Sequence, residues 1–434
     1  MKVRLDYGRD GLEVELPDEN VVAVLGLKPA PPIQEAASDI SSALACPIGS
    51  EPLSRLAAGR RDACIVICDV TRPVPNRVLL PPILEALDAG GLTRDRVTIL
   101  IATGTHRPNE GAELEAMLGR DIVSTCRVVN HVCTDAGSQR YLGISPNGVP
   151  VYLDRTYCDA DLKLTVGLIE PHFMAGFSGG RKLVMPGVAA LETVQAWHSP
   201  RFLEHPNATN GVVDGNPVHE ESLAIAKMAR PDMAVDVTLD DQNRITGVFA
   251  GDLEEAWRAG VAFASEHVRA QVAEPVDIVV STCAGAPLDA TFYQAVKGMV
   301  GALPIVKPGG SIVIASECAE GIGSEPFRRQ LMESDDLCAY IDAMQRDDWT
   351  FVPDQWEVEE LAKAVRENTV YCVASGIPRD DLARCFVTPA ETVEEAVAAA
   401  MERHGPDARI AVIPKGPYIV PMVVRQRIDD ASAS

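Results

Sequence analysis

The stretch that most constrains this chain is an apolar run, Leu162 to Ile169, followed at once by Glu170-Pro171-His172-Phe173-Met174-Ala175-Gly176-Phe177-Ser178-Gly179-Gly180-Arg181-Lys182. A run without polar alternation reads as a strand buried on both faces, which is the habit of parallel sheets covered by helices. Pro186-Gly187 and a helix predicted over 190–197 come next. Strand, glycine-rich loop and helix, in that order, present backbone N–H groups to an anion. Gly176, Gly179 and Gly180 accept positive φ and let a ligand approach the backbone. Arg181 and Lys182 add cations suited to phosphate or carboxylate. His172 and His198 bracket the loop, and either can titrate or bind a metal. The same stretch also reads as a structural turn with two solvated cations, since short glycine motifs are weak signals.

The pattern recurs upstream. Ala63-Cys64-Ile65-Val66-Ile67-Cys68 is a second buried-strand run and ends in Asp69-Val70-Thr71-Arg72-Pro73-Val74-Pro75, whose prolines stop strand and helix alike. Val97 to Ala102 is a third, ending in Thr103-Gly104-Thr105-His106-Arg107-Pro108 before a helix predicted over 109–118. Open α/β sheets bind ligands at the carboxyl ends of their strands. Three polar loops at three such ends are therefore expected to converge, although Arg72 or His106 alone would pass for an exposed loop side chain.

Other segments fill in the class. Residues 2–16 read as a hairpin about Asp10-Gly11. Helices are predicted over 33–45, 217–229, 253–271, 291–302, 357–367 and 392–403. Strands are predicted over 235–238, 245–249, 276–281, 311–315, 370–373, 386–387 and 408–413. Alternating strands and helices make an α/β protein of two domains with mostly parallel sheets. Glu274-Pro275 marks the boundary. The expected division is 1–272 and 273–404, with 405–425 returning to the first domain.

The 434 residues suffice for two or three domains, and a hydrophobic content of 47% supports large cores. A net charge of −23 argues against a broad nucleic-acid surface, so the cations near His172 suit a pocket for a small anion. The N-terminus has no apolar signal core, and no apolar run is long enough to span a bilayer. A soluble, cytoplasmic protein without nucleic-acid or membrane partners is expected. The 11 cysteines are scattered without a CxxC pair and suggest no disulfide framework. In the second half, Gln294 and Lys297 share a helix face beside Tyr293, and Trp356 lies near the start of a helix. Each of these also reads as solvated helix face or core packing.

Taken in order, these motifs resemble the nickel-dependent lactate racemase family, LarA. The likeness rests on Asp69-Val70-Thr71-Arg72-Pro73, Gly104-Thr105-His106-Arg107-Pro108, Glu170 through Lys182, Trp197-His198, Tyr293-Gln294-Ala295-Val296-Lys297-Gly298 and Asp354-Gln355-Trp356. It covers most of the chain. The resemblance implies a racemase or epimerase of a lactate-like 2-hydroxy acid, working in the cleft between two α/β domains. It implies a nickel-pincer nucleotide, a pyridinium mononucleotide with two sulfur groups and Ni2+, attached covalently at Lys182. His198 would ligate nickel, and His106 and His172 would be the acid/base pair. Arg72, Gln294, Lys297, Tyr293 and Trp356 would bind substrate. Asp69, Thr71, Gly179, Gly180 and Arg181 would join Lys182 in holding the cofactor in the N-terminal domain. Cofactor-synthesis enzymes would be partners, and a homodimer stays open. Two other readings remain at this stage. One is an ATP-dependent enzyme using the glycine loop, against which stands the lack of a GxxxxGK[ST] match. The other is a non-catalytic protein that binds nucleotide or metal.

Overall fold

The apolar runs do become strands, and they sort into two six-stranded sheets. In a computed structural model that describes residues 1–346 and 348–424, the sheet strands in chain order are β1 (Val21–Val24), β2 (Ala63–Cys68), β3 (Val97–Ala102), β4 (Arg127–Asn130), β5 (Leu162–Leu168), β6 (Met233–Leu239), β7 (Ile245–Gly251), β8 (Val276–Thr282), β9 (Val306–Ala315), β10 (Thr369–Val373), β11 (Thr388–Pro389) and β12 (Ile410–Ile413). One sheet has the order β7-β6-β5-β2-β3-β4, parallel except for β7 at its edge. The other has the order β11-β10-β9-β8-β12-β1 and is parallel throughout. The α/β class with mostly parallel sheets holds.

The chain divides into two units, Pro29–His267 and Met1–Lys28 joined with the chain from Val268 onward. This corrects the expected division in two places. The N-terminal 28 residues belong with the second half, because β1 hydrogen-bonds to β12. The segment after residue 404 does not return to the first half, because β12 lies between β8 and β1. The physical reason is that Ile410–Ile413 is buried throughout and fits the interior of the parallel sheet. The hairpin expected at 2–16 is present as Lys2–Leu5 against Leu12–Glu15.

Each unit has its own core. In the first, Ile65 and Ile67 of β2, Ile99 and Ile101 of β3 and Leu164 and Val166 of β5 pack with helix residues such as Leu80, Ile83 and Leu87. In the second, Ile278, Val280, Val313, Ile410 and Val412 pack against Val393, Ala396 and Val397 of the helix Val393–His404. No helix among the described residues is long and apolar enough to cross a membrane.

The helix α1 (Phe292–Ala302) rests on β8 through a glycine. A Cβ at Gly298 would lie 2.2 Å from the carbonyl oxygen of Thr282, whereas one at Gly301 would meet nothing nearer than 3.9 Å. Substitution at the two sites should therefore have opposite signs. Gly298→Ala should cost about 1–3 kcal/mol by forcing the helix off the sheet. Gly301→Ala should be neutral or gain up to about 1 kcal/mol in helix propensity. Denaturant unfolding of the two variants checks the pair.

Candidate active site

Strands β5, β2 and β3 are consecutive neighbours running the same way, so the loops after Leu168, Cys68 and Ala102 leave the same edge of the sheet. The expected convergence of these three loops is observed. His106 Nδ1 lies 2.7 Å from Asp69 Oδ2. Arg72 Nε lies 3.0 Å from Glu170 Oε1. The backbone N–H of Gly104 donates to the Gly187 carbonyl at 2.9 Å.

Asp69 is 5% exposed while His106 stands mostly in the open. Burial pushes the Asp69 carboxyl up. Hydrogen bonds from His106 and Thr71 and the charge of Arg72 together outweigh that and hold it below the usual carboxylate range. An ionised carboxylate accepts the Nδ1–H of His106, which leaves Nε2 as the proton-accepting nitrogen. Thr71 supports this pair, its hydroxyl donating to Asp69 Oδ1 at 2.6 Å.

The stretch 170–182 is a small hairpin, in which Pro171–His172 pairs with Gly176–Phe177, followed by a 3-10 turn at Gly180–Leu183. His172 Nε2 meets Lys182 Nζ at 2.8 Å. Its Nδ1 is approached by the backbone N–H groups of Ala175 at 3.3 Å and Met174 at 3.4 Å. Lys182 Nζ also stands 5.5 Å from the centroid of the Trp197 ring, and His198 packs on that ring at 4.3 Å. Burial, reinforced by the charge of Lys182, pushes the His198 imidazole down to about 3. His198 is therefore neutral at pH 7, the form in which imidazole binds metals. Among the described residues no three or more His, Cys, Asp or Glu side chains are grouped to hold a metal ion. A metal bound by this one histidine would take its remaining ligands from outside the protein.

Arg181 requires a correction. It was expected to hold the cofactor, yet it is 1% exposed and turned inward. Its Nη2 donates to the carbonyls of Ala175 at 2.9 Å and Phe177 at 2.8 Å, and its guanidinium lies 4.1 Å from the centroid of the Trp257 ring. A planar donor fork suits adjacent carbonyls of a tight loop as well as it suits an anion. The glycines are turned to the same purpose. Gly179 and Gly180 do have positive φ, +78° and +49°, but a Cβ there would meet Asp236 at 2.9 Å and Trp257 at 3.0 Å respectively. What approaches the backbone at these points is the protein's own interior.

In the other unit, Lys297 Nζ donates to Gln294 Oε1 at 2.5 Å, confirming that the two share a face of α1. Trp356, on the helix Gln355–Glu367, is buried and donates through Nε1 to the Tyr293 hydroxyl at 2.9 Å. Beside it Glu357 is buried; that burial pushes its carboxyl up to about 8, Lys297 opposes the rise, and Glu360 and Asp354 add to it.

Sequence reasoning assigned no role to Glu170, Asp236, Trp257 or Glu357. Asp236 carried a signal, a lone acid inside the apolar strand Ala234-Val235-Asp236-Val237. Trp257 carried none.

Residues 7–211 match the family model described as the lactate racemase N-terminal domain, and residues 271–421 match the lactate racemase C-terminal domain. A curated lactate racemase of Thermoanaerobacterium thermosaccharolyticum is 36% identical over 430 residues, covering 98% of this chain and 99% of its own length. One from Lactiplantibacillus plantarum is 35% identical over 417 residues, covering 95% and 98%. The solved structure of the lactate racemase apoprotein from T. thermosaccharolyticum aligns with a TM-score of 0.91 at 35% identity, over 98% of this chain and 100% of that one. A crystal structure of a Thermotoga maritima protein, 18% identical with a TM-score of 0.66 over 92% of this chain and 100% of its own, shares the fold.

The Asp69 pairing predicts a pH signature. A carboxyl held low in the folded state adds stability that is fully present above its unfolded value, about 3.9, and is lost as pH falls through the folded value. Asp69→Asn should therefore be less stable than the parent chain at pH 7. The gap should narrow on acidification below about pH 4. Denaturant unfolding at pH 7 and pH 3 reads it out.

Proposed function

The chain belongs to the lactate racemase family, and from that premise we propose that it interconverts the enantiomers of lactate or a close 2-hydroxy acid through a 2-keto acid. It is an isomerase of the racemase type. The observation that carries the finer reading is the pair of histidines at the ends of the two strands that flank β2, one oriented by Asp69 and the other against Lys182.

Hydrogen on C2 of a 2-hydroxy acid is very weakly acidic as a proton, and moving it as hydride avoids a carbanion. The nickel-pincer nucleotide, when bound, supplies the hydride acceptor that no side chain offers. Lys182 would carry it and His198 would ligate its nickel. Thr71 would help hold it, while Gly179 and Gly180 shape the loop from within.

The chain's own residues then do proton and positioning work. His106, with Nδ1 tied to Asp69, takes the hydroxyl proton at Nε2 for one enantiomer, and imidazole has the right basicity near neutral pH. His172, set against Lys182 at Nε2, would do the same for the other enantiomer. Once C2 is planar its two faces are chemically alike, and each histidine returns a proton to the alkoxide forming on its side. Arg72 would grip the substrate carboxylate, its guanidinium plane set by Glu170. Gln294, Lys297, Tyr293 and Trp356 would bind substrate. The enzymes that make the cofactor would be the partners needed for activity.

With cofactor-loaded protein, lactate deuterated at C2 should give the opposite enantiomer with its label kept, read by mass spectrometry. Wash-out of label into water at every turnover would overturn the hydride reading. His106→Ala and His172→Ala should each lose on the order of 10²-fold or more in kcat while keeping their cofactor mass. Lys182→Ala should carry no adduct in an intact-mass spectrum.

A further inference from the structure

Against the hairpin that bears His172 and the turn that bears Lys182 lies a buried polar group that the reaction does not use. Asp236, fully buried in the middle of β6, accepts the backbone N–H of Gly180 on Oδ1 at 3.0 Å. Trp257, on the helix Glu255–Val268, donates its indole N–H to the Ser178 carbonyl at 2.7 Å. Arg181 stacks over that indole and fastens the carbonyls of Ala175 and Phe177. His219 stacks on the same Trp257 ring at 4.9 Å. Four consecutive backbone positions before Lys182, from Phe177 to Gly180, are thus bonded or packed onto three side chains, Asp236 and Trp257 from other elements and Arg181 from the loop itself.

We propose that Asp236, Trp257 and Arg181 form a clamp of positioning residues that fixes the Lys182 amine against His172. The clamp acts through the main chain two and four residues before the lysine. None of the three needs to touch substrate or cofactor. The arrangement explains why acid, indole and guanidinium sit in an interior where each has a desolvation cost. Burial pushes Asp236 up to about 7 against the pull of the Gly180 N–H and Arg181, and pushes Arg181 down to about 9 with Asp236 opposing. Apolar residues would fill that space more cheaply, but they would leave the Ser178 and Phe177 carbonyls and the Gly180 N–H unpaired. Only what Lys182 goes on to carry rests on the racemase reading. The clamp itself is a statement about the cofactor-free chain.

The test therefore uses cofactor-free protein. Acetic anhydride, in sub-stoichiometric pulses at fixed pH, acetylates lysines at rates that mass spectrometry resolves site by site. Lys163 and Lys28 serve as internal controls. Trp257→Phe keeps a ring under Arg181 but loses the N–H to Ser178, and Asp236→Ala loses the Gly180 contact. Removing one hydrogen bond of ordinary net strength should let the hairpin open about two- to tenfold more often. The Lys182 rate should change by a similar factor while Lys163 and Lys28 stay at parental rates. Asp236→Asn, which keeps an oxygen for the Gly180 N–H, should restore the parental Lys182 rate. If Trp257→Phe and Asp236→Ala lower the melting temperature but leave the Lys182 rate unchanged, the three are core residues only and the clamp is wrong. If Asp236→Asn behaves like Asp236→Ala, the Gly180 contact is not what positions the lysine. Absence of racemase activity in loaded protein would count against the proposed function and leave this result standing.

Discussion

Everything at the candidate site depends on one constraint of sheet order, that β5, β2 and β3 are parallel and adjacent. Parallel neighbours send their following loops out of the same edge, about 4.8 Å apart strand to strand. Side chains a hundred residues distant in sequence then meet without any long reach. Asp69 and His106 touch because β2 and β3 end together, and Arg72 and Glu170 touch because β2 and β5 do. The chemistry was placed by the apolar runs before any polar residue contributed.

This is also why so much was legible in the sequence. Buried strands such as Ala63–Cys68 and Val97–Ala102 fall on the residues expected, because an unbroken apolar run admits few other structures. The helix Phe292–Ala302 falls within the 291–302 expected for it. Short or weakly apolar strands were not. Val21–Val24 is half-exposed on a sheet edge and Arg127–Asn130 is short and mixed, so neither gives a period that stands out from loop. The paired strands Gln139–Ile144 and Pro150–Asp154 were likewise missed. The segment after residue 404 was assigned to the wrong half because sequence gives a strand's burial but not its neighbour.

The site shows the same division. Residue types near the loop ends were readable, but the direction of a side chain was not. Arg181 and Lys182 are adjacent and both cationic, yet one points into the core and the other toward His172. The difference is made by Trp257 and Asp236, which lie more than fifty residues downstream and carry no local signature of that role. A glycine-rich loop full of cations invites a ligand reading of every member. Half of this one is occupied with holding itself in shape.

The pairing of β1 with β12 has a consequence for how the molecule is made. A ribosome delivers Val21–Val24 first and Ile410–Ile413 almost four hundred residues later, so the edge strand must wait for its partner. The unit spanning 29–267 is a continuous insert between these two pieces and has all its strands in hand long before synthesis ends. Assembly on the ribosome is therefore ordered from the middle outward. For that interval the early strand is an unpaired β edge, and its solvent-facing valines are what a chaperone would find.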